Sequence, residues 1–182
     1  FEEPFWALGR DPARDGKVVI VSWPFVPIEL IRAAGLSPVF ARGSSAATSA
    51  AKRVLEPDLF PNRLRQLVEA ALTGRLARVA AIVLPRSSDP DYKCFLYLRE
   101  LERRGVARAL PPVLLFDLLH SDDADARSYN ADRTRDLSVQ LASLAPTKHK
   151  QKDPGAAIES ANRARAAARR LNALRIATPR IT

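Results

Sequence analysis

Apolar residues along the chain fall into two alternating kinds of run. Short continuous stretches stand at 18–22, 38–41, 79–84 and 113–116, and four of the five residues in the first are β-branched and apolar. A continuous apolar run of this length predicts a strand buried on both faces. Between these runs the apolar positions recur at helical spacing. The spacing predicts a short helix over 27–34, opened by Pro27 and stopped by Gly35, since proline suits the first turn of a helix and glycine the position after the last. A second helix is predicted over 61–73, with Leu64, Leu67, Val68, Ala71 and Leu72 on one face and Gly74 beyond it. A third runs over 91–104, with Phe95, Leu98 and Leu101 on its apolar side and Gly105 closing it. Asp122 is placed to cap a long helix reaching about Leu144. An alanine- and arginine-rich helix starts at Asp153-Pro154 and ends before Pro179.

Strands alternating with helices imply βαβ units, right-handed crossovers and a mainly parallel sheet. The expected fold is therefore α/β: a doubly wound, mostly parallel, flavodoxin-like sheet with helices on both faces. Residues 1–16, turn-rich with Pro4, Gly9, Pro12 and Gly16, read as a lead-in. Residues 17–145 form the α/β domain, and 146–182 a basic linker and helix directed at a second domain or a partner. The 42–60 connection is long enough to carry local helix or to cover the edge of the sheet.

Charge changes the picture only at one end. The net charge is +9, but 146–182 hold nine Lys or Arg against two acidic residues, so the rest is nearly neutral. A general nucleic-acid binder carries its basic stripe on the folded body, and nucleic acid is not the expected partner. No apolar run approaches the roughly 20 residues that span a bilayer, and the first residues lack the pattern of a signal peptide. One cysteine, Cys94, cannot form an internal disulfide, which points to a reducing, cytoplasmic setting. With only His120 and His149 beside it, it cannot build a zinc site unaided. A chain that begins at Phe1 and contains no methionine is expected to lack its natural start.

No G-x-G-x-x-G, G-x-x-x-x-G-K-[ST] or G-x-S-x-G motif is present, so neither a nucleotide fingerprint nor a nucleophile elbow can be argued. Two strand-to-helix turns remain, SWPFVP over 22–27 and RSSDP over 86–90. Both follow strands at their carboxyl ends, where open α/β sheets bind ligands. Ser22 and Ser88 offer hydroxyls there, Trp23 and Phe25 flat apolar surface, and Arg86 a fork for phosphate or carboxylate. Ser88, Asp89 and Pro90 equally suit the cap of the next helix, and Trp23 and Phe25 equally suit packing over the sheet end.

With both turns in view, the chain resembles the 2-hydroxyacyl-CoA dehydratase and benzoyl-CoA reductase family. PFVPIELIRAAGLSPVFARG, at 24–43, looks like the family's V-P-E-E-L-I-x-A-A-G-x-x-P-V. LFPNRLRQLVEAALTGRL, at 59–76, is similar to the segment with a Cys-Pro and then an arginine-bearing helix. VLPRSSDPDYK, at 83–93, is similar to S-C-D-x-x-x-K. AIESANRARAAARRLNALR, at 157–175, looks like a helix built on A-I-x-x-x-N-x-x-R, after which family members continue into a second domain.

The resemblance implies action on acyl-CoA thioesters by one-electron chemistry. A [4Fe-4S] cluster held by cysteines of both domains takes an electron from a separate ATP-driven activator and passes it to the thioester carbonyl. On this resemblance Ser22 and Ser88 are the candidate catalytic residues, and Trp23, Glu29, Arg86 and Asp89 the candidate substrate-binding ones. The chain departs from the pattern where it matters most. Phe60 and Ser88 stand where two ligand cysteines are expected, and Cys94 is out of register. The expectation is a dehydratase-like subunit or domain that binds acyl-CoA, has diverged, and holds no cluster or metal of its own, beside a second subunit or domain. The alternative is a non-catalytic acyl-CoA or anion-binding module.

Overall fold

The computed structural model describes residues 17–22, 25–107, 109–145 and 153–177. Its elements are β1 (Val18–Val21), α1 (Ile28–Ala33), β2 (Ser37–Phe40), two 3-10 turns (Ala51–Arg53 and Pro57–Leu59), α2 (Asn62–Leu72), β3 (Ala81–Pro85), α3 (Asp89–Arg103), β4 (Val113–Phe116), α4 (Ala124–Ser143) and α5 (Pro154–Ala177). The four strands form one sheet in the order β2-β1-β3-β4, and every pair is parallel. This is the expected doubly wound α/β arrangement, with its topological switch between β1 and β3.

Side-chain alternation divides the strands between two cores. Val18, Ile20, Ile82 and Leu84 pack with Leu64, Leu67 and Val68 of α2 and Leu98 of α3. Val19, Val21, Ala81 and Val83 pack on the other face with Ile31 of α1 and Leu137 and Leu141 of α4. Because both faces are covered, β1 and β3 are buried along their whole length, which is why their sequences read as continuous apolar runs. Gly35, at φ 77°, and Gly105, at φ 67°, turn the chain out of α1 and α3, a left-handed conformation that costs glycine little.

Several boundaries differ from expectation by a residue or two, and two of the differences have a clear local cause. β3 starts at Ala81 rather than 79, because the Val79 amide closes a turn on the Leu76 carbonyl at 3.0 Å. The cap of α4 is Asp123, not Asp122. The Asp123 carboxylate accepts the Ala126 amide at 2.7 Å, and that bond is the main cause holding its carboxyl below the usual range. Asp122 instead pairs with Arg127 at 2.8 Å.

The segment between β2 and α2 is tied to α2 by polar side chains. Asn62 Nδ2 donates to the Ser44 carbonyl at 3.0 Å, Gln66 Nε2 to the Ala46 carbonyl at 2.6 Å, and the Ala51 amide donates to Glu69 Oε2 at 2.7 Å. Ala51, Leu55 and Phe60 enter the α2–α3 core from this segment. At the sheet edge, the Ser37 amide donates to the Lys17 carbonyl just before β1 and the Ala41 amide to the Val21 carbonyl, at 2.8 Å each, so the strand's alternation turns Pro38, which has no N–H, away from β1.

Residues 146–152 of the expected linker lie outside the described residues. α5 rests against α1 through buried Ala161 and an Arg165–Glu29 ion pair. Leu171, Leu174 and Ile176 remain exposed. No helix among the described residues is long and apolar enough to cross a membrane.

Candidate functional site

The ends of β1 and β3 lie side by side, with Val21 opposite Val83. The chain leaves β1 at Ser22 and leaves β3 through Arg86, Ser87 and Ser88 into α3. Ser88 is the N-cap of α3, and its Oγ accepts the Asp91 amide at 3.3 Å. Ser88-x-x-Asp91 thus has the spacing of a capping box, but the Asp91 carboxylate gathers partners from three elements. Oδ1 accepts the Ser22 hydroxyl at 2.8 Å. Oδ2 accepts the Ser88 hydroxyl at 2.6 Å and Arg63 Nη2 at 3.1 Å. Arg63, from α2, also donates its Nε to the Ser22 carbonyl at 3.2 Å. Asp91 is 1% exposed and Ser22 2%. A buried carboxylate is tolerable when it is paired and hydrogen-bonded, and here two hydroxyls and a guanidinium meet that need.

The switch-point crevice between β1 and β3 is therefore filled by the protein's own groups. The open concavity lies beside it, towards β4. A cleft of ≈ 270 Å³ is lined by Arg86, Ser87, Ser88, Asp89, Tyr92 and His120. Arg86, Ser87 and His120 also border a smaller hole of ≈ 50 Å³ walled by Phe25, Pro85, Phe116 and Leu118. Arg86 is half-exposed, pairs with Asp117 at 3.2 Å and lies 4.7 Å from the Tyr92 ring centroid. The Tyr129 hydroxyl donates to the same Asp117 oxygen at 3.3 Å.

Of the residues singled out in the sequence, Arg86, Ser88 and Asp89 surround one cleft, and Asp91 joins Ser22 to Ser88. Glu29 is bonded instead to Arg165 of α5. Trp23 lies outside the described residues. Asp91 and Arg63 were missed, although the capping-box spacing marked Asp91.

The 2-hydroxyglutaryl-CoA dehydratase D-component family model matches residues 24–182. The chain belongs to this family. No curated protein matches it significantly. In a dehydratase-family chain, the environments of Phe60, Ser88 and Cys94 bear on metal chemistry. Phe60 is buried, with its ring edge-on to Tyr97 at 5.6 Å. Ser88 is held by Asp91. Cys94 is fully buried in the α2–α3 core. Burial pushes its thiol well above its ordinary value, the Asp91 charge adds to this, and Arg63 opposes it. Among the described residues, no three His, Cys, Asp or Glu side chains are grouped to hold a metal ion.

Thiolate is the reactive form of cysteine, so native protein is expected to resist alkylation by iodoacetamide at mildly alkaline pH. Unfolded protein should label fully at Cys94. Mass spectrometry of native and urea-treated samples checks this, and rapid native labelling would show that the α2–α3 core opens.

Proposed function

We propose that this chain is an acyl-CoA-binding subunit or domain of a dehydratase-like enzyme, diverged so that it holds no [4Fe-4S] cluster of its own. The observation that carries the reading is the cleft at the carboxyl edge of the sheet, where Arg86, Ser88 and Asp89 converge in a chain of this family. Iron–sulfur clusters require thiolate ligands. Phe60 has no donor atom, the Ser88 hydroxyl is committed to Asp91, and the Cys94 thiol is kept protonated in the core. These residues do not fit the cluster, so one-electron chemistry falls to a partner that carries it.

Binding without catalysis is the second reading. It is favoured by the same bonds: both candidate catalytic hydroxyls, Ser22 and Ser88, already donate to Asp91. In either case Arg86 meets the charged part of the ligand.

The test is to purify the chain without oxygen and titrate it calorimetrically with an acyl-CoA. The protein should be colourless, contain no stoichiometric iron or sulfide, and bind the thioester. Arg86→Ala should weaken binding about tenfold, as expected for loss of a charge-assisted bond. A brown protein with about four irons per chain would overturn the cluster-free reading. Failure to bind any acyl-CoA would overturn the acyl-CoA reading.

A further inference from the structure

We infer that His120 is the second anion-binding group of the cleft, and that affinity for the charged part of the ligand rises as His120 takes up a proton. The inference rests on the acyl-CoA reading above. It adds to that reading a residue and a pH dependence.

Charge creates the need. Arg86 is the only Lys or Arg lining the cleft among the described residues, and it already pairs with Asp117 at 3.2 Å. These two cancel, which leaves the charge of Asp89, carried in the first turn of α3 on the wall of the same cleft. A phosphate or carboxylate therefore meets no surplus cation while His120 is neutral. Ser87 and Ser88 carry no charge, and a tyrosine such as Tyr92 keeps its proton at neutral pH. Histidine is the side chain whose charge changes between about pH 5 and pH 8. Its protonated ring donates from both nitrogens and adds a full charge to the hydrogen bond. On the loop that carries His120, Asp122 pairs with Arg127, and Asp123 accepts the Ala126 amide. Both carboxylates are thus engaged at the start of α4.

The loop is held for this task by two successive residues of α4. Asn130 Oδ1 accepts the Leu119 amide at 2.8 Å, and Asn130 Nδ2 donates to the Leu119 carbonyl at 2.9 Å. Tyr129 donates to Asp117, the partner of Arg86. One turn of helix so fixes the carboxylate that orients Arg86 and the backbone next to His120. A loop ordered in advance loses less freedom when ligand binds. The sign of the pH effect follows. An anion stabilises the protonated ring, binding takes up a proton, and affinity grows as pH falls from 8 to 6.

Calorimetric titration of the full chain and of His120→Gln with butyryl-CoA, at pH 6 and pH 8, tests this. Comparing the two proteins at one pH cancels the titration of the ligand's own phosphates. His120 is exposed, so the variant should fold normally. At pH 6 the unmodified chain should bind about five- to tenfold more tightly than His120→Gln, and at pH 8 the two should agree within about twofold. Asn130→Ala should lower the affinity at pH 6 towards that of His120→Gln and leave the affinity at pH 8 unchanged. Equal affinities of the unmodified chain and His120→Gln at pH 6, as follows if Asp89 takes the imidazolium instead, overturn the inference and leave the acyl-CoA reading standing. A loss in His120→Gln that is the same at both pH values overturns it too, because protonation then plays no part. No binding by either protein at either pH overturns both.

Discussion

Replacing Asp91 by alanine is expected to cost about 3 kcal/mol of folding stability. The substitution removes the acceptor for Ser22, Ser88 and Arg63 together. Breaking a buried ion pair from one side leaves its partner charge uncompensated, at about 3–5 kcal/mol. The lower end applies because the Arg63 side chain is 19% exposed and keeps some water. Asp91→Asn keeps the shape and should lose about 2 kcal/mol. Adding Arg63→Met to Asp91→Ala should recover part of the loss, since the stranded cation goes too. Urea unfolding of the four proteins measures these differences. A loss below about 1 kcal/mol for Asp91→Ala would mean that the network does not hold the two turns together.

Phe60→Ala is expected to cost about 3–4 kcal/mol, the range for emptying a buried aromatic site. Phe60 is 3% exposed and lies in the α2–α3 core. Its edge-on contact with Tyr97 adds specific attraction to the buried area. Phe60→Leu should cost about 1.5 kcal/mol or less, because most of the volume is kept. The difference between the two variants under urea separates the ring's volume from its contact with Tyr97. A loss from Phe60→Ala that matches an exposed-site control would show that the 3-10 segment leading to Phe60 does not seal the core. On the cluster-free reading proposed above, the position where the family resemblance expects a ligand cysteine serves packing in this chain.

The sheet and its helices were legible because local pattern and global burial agree. The apolar run of β1 reports directly that both its faces are covered. The face of Leu64, Leu67 and Val68 on α2 is the face that meets the core. The site was less legible because its central bonds join distant parts of the chain. Ser22 and Asp91 are 69 residues apart, and Arg63 and Asp91 are 28 apart. Spacing could mark Asp91 as the far end of a capping box, but not the arginine and second serine that would reach it. Nor could it show that Arg86 would spend its charge on Asp117, 31 residues on. The polar tethers from Gln66 and Glu69 to the segment before α2 were hidden in the same way.

The outward-facing Pro38 limits how the protein can enlarge. A foreign strand laid along β2 would find a missing donor in the middle of a four-residue edge, and the carbon of the pyrrolidine ring where its carbonyl should dock. Sheet-to-sheet growth, the route by which open edges seed fibrils or join subunits into one continuous sheet, is closed on that side. A companion chain that approaches from the β2 flank has to attach through side chains and helices, and can be exchanged without unzipping the sheet.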